Sequence, residues 1–126
     1  VRRLPVMVAM GGIFYLSHQP GDSFTLPDVF NIDKVLHGLV YMVLGMTFYV
    51  ALSPDWRERQ PYRAGCAVVV FCLLYGIFDE WHQSFIAGRY ASGADVLADV
   101  GGGVLAVACD YCWRRWRGAT VGEAVR

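Results

Sequence analysis

The chain has 126 residues, 56% of them hydrophobic and 17% charged, with a mean hydropathy of +0.37. Soluble domains average roughly 25% charged residues, so this chain is short of the groups that keep a surface wet. Its length allows one domain. Eleven basic and eleven acidic side chains cancel, which argues against a nucleic-acid partner, a role that needs a basic surplus. The apolar content excludes disorder. A very apolar soluble helical protein and a small membrane protein remain.

Charge-free runs separate these two. Residues 4–21, 35–54 and 64–78 contain no Asp, Glu, Lys or Arg, and a fourth apolar stretch, 94–113, holds Asp95 and Asp99 near its start and Asp110 near its end. A bilayer core about 30 Å thick asks for ~20 apolar residues in a helix. The second run meets that. The first and third have short apolar cores that reach roughly 20 Å, and span if polar flanks enter the interface or the bilayer thins. A soluble bundle would alternate apolar and polar positions, whereas the second and third runs are apolar nearly all round. The reading is an all-α, polytopic membrane protein: a four-transmembrane-helix bundle over 1–118, followed by a disordered tail over 119–126.

The first run could instead be a secretory signal. Ser17-His18-Gln19-Pro20 offers no small-residue cleavage site, so a retained helix is expected. Val1 stands where an initiator Met would, which leaves room for residues before it. The outer loop over 17–32 is rich in turn formers, including Pro20, Gly21, Pro27 and Asp28. An inner loop over 53–63 is short and charged, and the second outer loop, 80–93, breaks at Gly88.

Orientation follows from Lys and Arg. With the first end in the cytoplasm, nine basic residues fall inside (Arg2, Arg3, Arg57, Arg59, Arg63, Arg114, Arg115, Arg117 and Arg126) and only Lys34 and Arg89 outside. That bias puts both termini in the cytoplasm by the positive-inside rule. Cys66, Cys72, Cys109 and Cys112 then lie toward the reducing side, where packing rather than disulfide formation is expected. Gly101, Gly102, Gly103, Gly38, Gly45, Gly11 and Gly12 are expected to let helices approach closely.

The topology brings polar stripes to one outer level. Asp33 and His37 open the second run, Asp79 and Gln83 close the third beside Glu80 and His82, and Asp95 and Asp99 open the fourth. Residues four apart share a helix face, and ionisable groups within membrane segments face the bundle interior or a cavity. These stripes are therefore expected to converge on one outward-facing polar pocket. Each residue also has a plainer reading. Asp33 suits a helix cap, Asp95 with Ser92 suits a capping box, Glu80 a solvated loop, His18 an exposed loop, and Asp79, His37 and Asp99 polar locks between helices.

Together, Ser17-His18-Gln19-Pro20, Asp33-Lys34-x-x-His37 with Tyr41 and Gly45, Tyr75-Gly76-x-x-Asp79-Glu80-x-His82-Gln83-x-Phe85, Gly88-Arg89 and Asp95 resemble the VanZ-like membrane family over residues 14–103. The chain departs from the family pattern at Ala87, usually Pro, and at Asp99, usually Asn. The resemblance implies a four-helix bacterial membrane protein of the cell envelope. It also implies a link to resistance to teicoplanin, an acylated glycopeptide acting on lipid-linked wall precursor outside the membrane.

Two site readings compete, and the sequence leaves open whether the protein is an enzyme. In the first, the pocket binds an amphiphilic or lipid-linked envelope molecule, or a glycopeptide. Arg89 and Lys34 then contact an anionic head, supported by Glu80, Gln83, Asp95 and Asp99. In the second, His37 or His82, oriented by Asp33 or Asp79, is the general base acting on a lipid-linked phosphate or acyl group. A variant of that reading places a divalent metal, Zn or Mn, on His37, His82 and carboxylates; no dense ligand motif marks it, and the cofactor stays open. A small proton-coupled carrier is a third possibility. The lipid bilayer is the one partner the composition itself names; the oligomeric state stays open.

Overall fold

Pro5 stands in the first turn of α1, Leu4–Ser17, where its missing N–H costs nothing. A computed structural model describes residues 1–23 and 32–124, with backbone alone for Asp22 and from 118 onward. A single 3-10 turn, Gly21–Ser23, follows α1. Then come α2, Ile32–Ala51, α3, Pro54–Arg59, α4, Pro61–Gln83, and α5, Gly93–Ala124. Residues 24–31, with Pro27 and Asp28 of the expected outer loop, lie outside the described residues.

Among the described residues, three helices are long and apolar enough to cross a membrane: Ile32–Ala51, Pro61–Gln83 and Gly93–Arg117. Their 20, 23 and 25 residues reach about 30 to 37 Å. The fourth expected span, α1, is an apolar helix of 14 residues, about 21 Å long. The chain is thus an all-helical membrane protein. The expected inner loop contains a helix that periodicity alone does not show: Ser53 caps α3 by accepting from the Trp56 amide at 3.3 Å, and Pro54 occupies its first turn. α5 stays helical to Ala124, through most of the stretch expected to be a disordered tail.

The core lies between α1, α2 and α4. Val6 and Ile13 of α1, Tyr41, Leu44 and Tyr49 of α2, and Ala64, Val68 and Cys72 of α4 form one buried cluster. The Tyr75 hydroxyl donates to the Met10 carbonyl at 2.7 Å, fixing α1 against α4 midway. α5 packs most extensively on α2, and small residues permit it. A Cβ on Gly102 would strike the Gly38 carbonyl and the Met42 amide, and one on Gly45 would lie 2.9 Å from Ala106. Gly103 is pressed against Cys72 in the same way. Gly11, Gly12 and Gly101, expected at such contacts, meet nothing within 4 Å; they face outward.

Direct contacts also define two opposite ends. At one, the guanidinium groups of Arg57 and Arg114 lie over the Tyr49 ring, 5.2 and 5.5 Å from its centre, and Arg114 donates to Asp110 at 2.7 Å. This gathers the end of α2, α3 and the later part of α5. The other end joins the finish of α1, the start of α2, the finish of α4 and the start of α5, and it carries the polar stripes.

Candidate functional site

The polar end is built in two groups. In the first, α2 presents Lys34 and His37 to α5. The Lys34 ammonium lies 2.6 Å from an oxygen of Asp33 and 2.6 Å from Oδ1 of Asp95. The Asp33 contact is a hydrogen bond; the Asp95 contact is an ion pair without hydrogen-bond alignment, since Asp95 Oδ1 has no hydrogen-bond partner. One turn deeper, His37 Nδ1 and Asp99 Oδ1 stand 2.9 Å apart. Side-chain exposure falls along this row from 48% at Asp33 through 29% at Lys34 and 20% at His37 to zero at Asp99. The group therefore opens at the Asp33–Lys34 edge and closes at Asp99.

From α4, Glu80 enters the same group and is 5% exposed. Its Oε2 accepts from the Ser92 amide at 2.6 Å, at the start of α5, and its Oε1 is buried without a partner. This overturns the solvated-loop reading of Glu80 and the capping-box reading of Asp95. Asp95 turns to Lys34, and the helix start is satisfied from α4 instead. His37, Glu80 and Asp95 each offer a ligand-type atom, all within 4.8 Å of one another.

The second group faces α1. Asp79 and Gln83 are 2% and 5% exposed; the Gln83 amide donates to Asp79 at 2.9 Å and to the buried Ser17 hydroxyl at 3.3 Å. His82 lies 3.2 Å from His18, ring nitrogen to ring nitrogen, and stacks on Phe14. Arg89 reaches back over the end of α1, donating from Nε to the Gln19 carbonyl at 3.2 Å and from Nη2 to the Leu16 carbonyl at 3.3 Å. Gly88 makes this possible with φ +75, a left-handed conformation that L side chains resist. The Gly21 amide donates to the Ala87 carbonyl at 3.1 Å, and a Cβ on Gly21 would collide with the Gly88 carbonyl.

The expected histidine–carboxylate pairs are therefore exchanged for others. His37 is held by Asp99, not by Asp33, which is spent on Lys34. His82 is held by His18, while Asp79 is hydrogen-bonded by Gln83. The two histidines belong to different groups, so a shared metal on His37 and His82 finds no support in this arrangement. Both cations chosen for an anionic head already have partners: two carboxylates on Lys34, two carbonyls on Arg89. Ser17, His18 and Gly76 enter the site without having been singled out for it. Gly76 leaves the space Asp99 occupies; a Cβ there would sit 2.7 Å from Asp99 Oδ2. That Gly precedes Asp79 by three positions was visible, but its neighbour across the helix interface was not.

Two cavities of about 320 and 420 Å³ lie at the opposite, arginine-rich end, lined by residues such as Tyr49, Arg57 and Asp110, and Arg3, Phe48 and Ser53.

No curated protein and no solved structure matches the chain. The family model for VanZ/LLP1 matches residues 4–114. The matched stretch takes in α1, α2 and α4 whole and α5 as far as residue 114, along with every side chain of both polar groups. The chain belongs to the VanZ/LLP1 family.

Proposed function

We propose that the chain is a four-span membrane protein with both termini in the cytoplasm, and that its polar end faces the exterior and receives the polar head of an amphiphilic or lipid-linked envelope molecule. The orientation rests on the sequence bias of nine basic residues on the cytoplasmic side of that topology against Lys34 and Arg89 on the other. As a fourth span α1 is short, so Arg2 and Arg3 below and Ser17 to Gln19 above would sit in the headgroup layers. The observation that carries the reading is the inward burial of Glu80, Asp95 and Asp99 from two helices against Lys34 and His37 from a third. Burying so many ionisable groups in a membrane segment is costly, and their graded exposure leaves Lys34 at the rim. Lys34 is the point of contact for an anionic head, exchanging one carboxylate for it. Arg89 supports the loop beneath. The family's implied setting, resistance to an acylated glycopeptide acting on lipid-linked wall precursor, is one such molecule class.

The test is saturable binding of lipid-linked wall precursor and of teicoplanin to the full chain in detergent micelles. Binding should weaken roughly tenfold or more in Lys34→Ala and stay unchanged in Tyr62→Ala, which alters an exposed residue at the far end. Equal affinities in both variants would reject the pocket.

The His37–Asp99 contact favours a second reading, turnover rather than binding. A histidine oriented by a buried carboxylate is the arrangement of a general base, with Nε2 directed to the proton. Mass spectrometry of the lipid after incubation decides it: a changed head group that depends on His37 means turnover, and unchanged lipid means binding alone.

A further inference from the structure

We propose that His37, Glu80 and Asp95 form a site for a divalent transition-metal ion, Zn²⁺ or Mn²⁺, with Asp99 orienting His37 from behind. Three helices contribute one ligand each: α2, α4 and α5. Their ligand-type atoms already lie within 4.8 Å of one another. Two further observations point to an ion. Glu80 Oε1 is buried without any partner, in a residue 5% exposed, and an acceptor left bare inside a bundle is costly unless a cation meets it. His37 has one nitrogen committed to Asp99 at 2.9 Å, which leaves Nε2 as the nitrogen able to ligate. A carboxylate on the remote nitrogen fixes the ring and raises its basicity toward a metal.

The donor set names the class of ion. One imidazole and two carboxylates are a mixed nitrogen–oxygen set, suited to Zn²⁺ or Mn²⁺ rather than to Ca²⁺, which takes more oxygens. Bonds of about 2.0–2.2 Å put tetrahedral ligand atoms about 3.4 Å apart, so the three side chains must draw in by on the order of an ångström. Lys34 opposes that closure, because its ammonium holds Asp95 at 2.6 Å. Metal and ammonium thus compete for Asp95, and binding the ion releases Lys34 toward the rim. Three protein ligands leave a coordination position open for water or an anionic oxygen.

This inference deepens the reading above, since the ion would supply the positive charge that Lys34 and Arg89 have committed elsewhere. It also makes Nε2 of His37 a ligand, which excludes that nitrogen from acting as a base. Metal binding is decided without any lipid present. Binding of an ion with no saturable binding of precursor keeps the metal site and rejects the head-group reading. Precursor binding in a protein that holds no ion does the reverse.

The experiment uses the full chain with its purification tag removed, stripped by chelator in micelles and titrated with Zn²⁺ or Mn²⁺ alone. Bound metal is measured after gel filtration. About one equivalent per chain is expected, with affinity falling roughly tenfold or more in His37→Ala and Glu80→Gln and by a comparable factor in Asp99→Asn. Lys34→Met should bind the ion more tightly, a gain that misfolding cannot imitate; circular dichroism confirms helix content in each variant. A stripped wild-type chain that takes up no ion overturns the proposal. So does undiminished binding in His37→Ala and Glu80→Gln, which places the ion elsewhere, or a Lys34→Met variant no tighter than wild type.

Discussion

His37 Nδ1 meets Asp99 Oδ1 at 2.9 Å across the interface of α2 and α5, and the carboxylate it meets has no exposed surface. The pair behaves as a unit. Removing the histidine alone strands a buried acceptor, which costs about 3–5 kcal/mol when the pair is charged, whereas removing both leaves a small void. The double variant His37→Ala/Asp99→Ala should therefore be less destabilised than the two single variants added together. A coupling of about 1–3 kcal/mol in a double-mutant cycle, measured by reversible unfolding in micelles, is the expected result.

Gly76 and Gly101 make opposite predictions from the same substitution. In Gly76→Ala the new methyl meets Asp99 Oδ2 at 2.7 Å, and overpacking of this kind costs about 1–3 kcal/mol. In Gly101→Ala it meets nothing within 4 Å, so the helix gains up to ~1 kcal/mol of intrinsic propensity. Thermal unfolding of the two variants side by side should show a lower midpoint for the first and an equal or higher one for the second.

Arg89 holds the end of α1 through the carbonyls of Leu16 and Gln19. In Arg89→Ala both carbonyls lose the guanidinium, the Leu16 carbonyl keeping its backbone donor from Gln19, and the loop lying on Gly88 loosens. Amide hydrogen exchange over residues 16–21 should speed up by about tenfold or more, corresponding to roughly 1.4 kcal/mol, with exchange in the middle of α2 unchanged. Lipid affinity that falls without faster exchange would mean that Arg89 touches the head group itself.

Orientation is checked with matched positions. Tyr90 and Tyr62 are 89% and 88% exposed, at the polar and basic ends respectively. In a background with Cys66, Cys72, Cys109 and Cys112 replaced by Ser, an impermeant thiol reagent on intact cells should label Tyr90→Cys and spare Tyr62→Cys. The reverse pattern would put the polar end in the cytoplasm.

The apolar runs announced the long helices well, because a charge-free stretch of that length has few other homes. The short α3 escaped a reading based on periodicity; its signal was local, in Ser53 and Pro54. The partners of the polar residues were harder. Spacing of four states which residues share a face, and Asp33 with His37 do. It cannot state which neighbouring helix that face meets, and this is what gives His37 to Asp99 and leaves Asp33 to Lys34. The glycines carried part of that information: Gly38 and Gly102 mark where α2 and α5 touch, at the depth that brings His37 and Asp99 level. Nothing in composition distinguishes them from Gly11 or Gly101, which face outward.

The contact at Gly102 is backbone on backbone, with no side chain between α5 and the Gly38 carbonyl. Such a joint has no rotamers to reshuffle, so Lys34, His37, Asp95 and Asp99 ride on a pair of helices that tilts as one piece. Glu80 arrives from α4 and is tied to the start of α5 by the Ser92 amide at 2.6 Å. A host lipid of different thickness would therefore tilt the paired helices as one piece, with the Ser92 amide as the tether by which the glutamate follows.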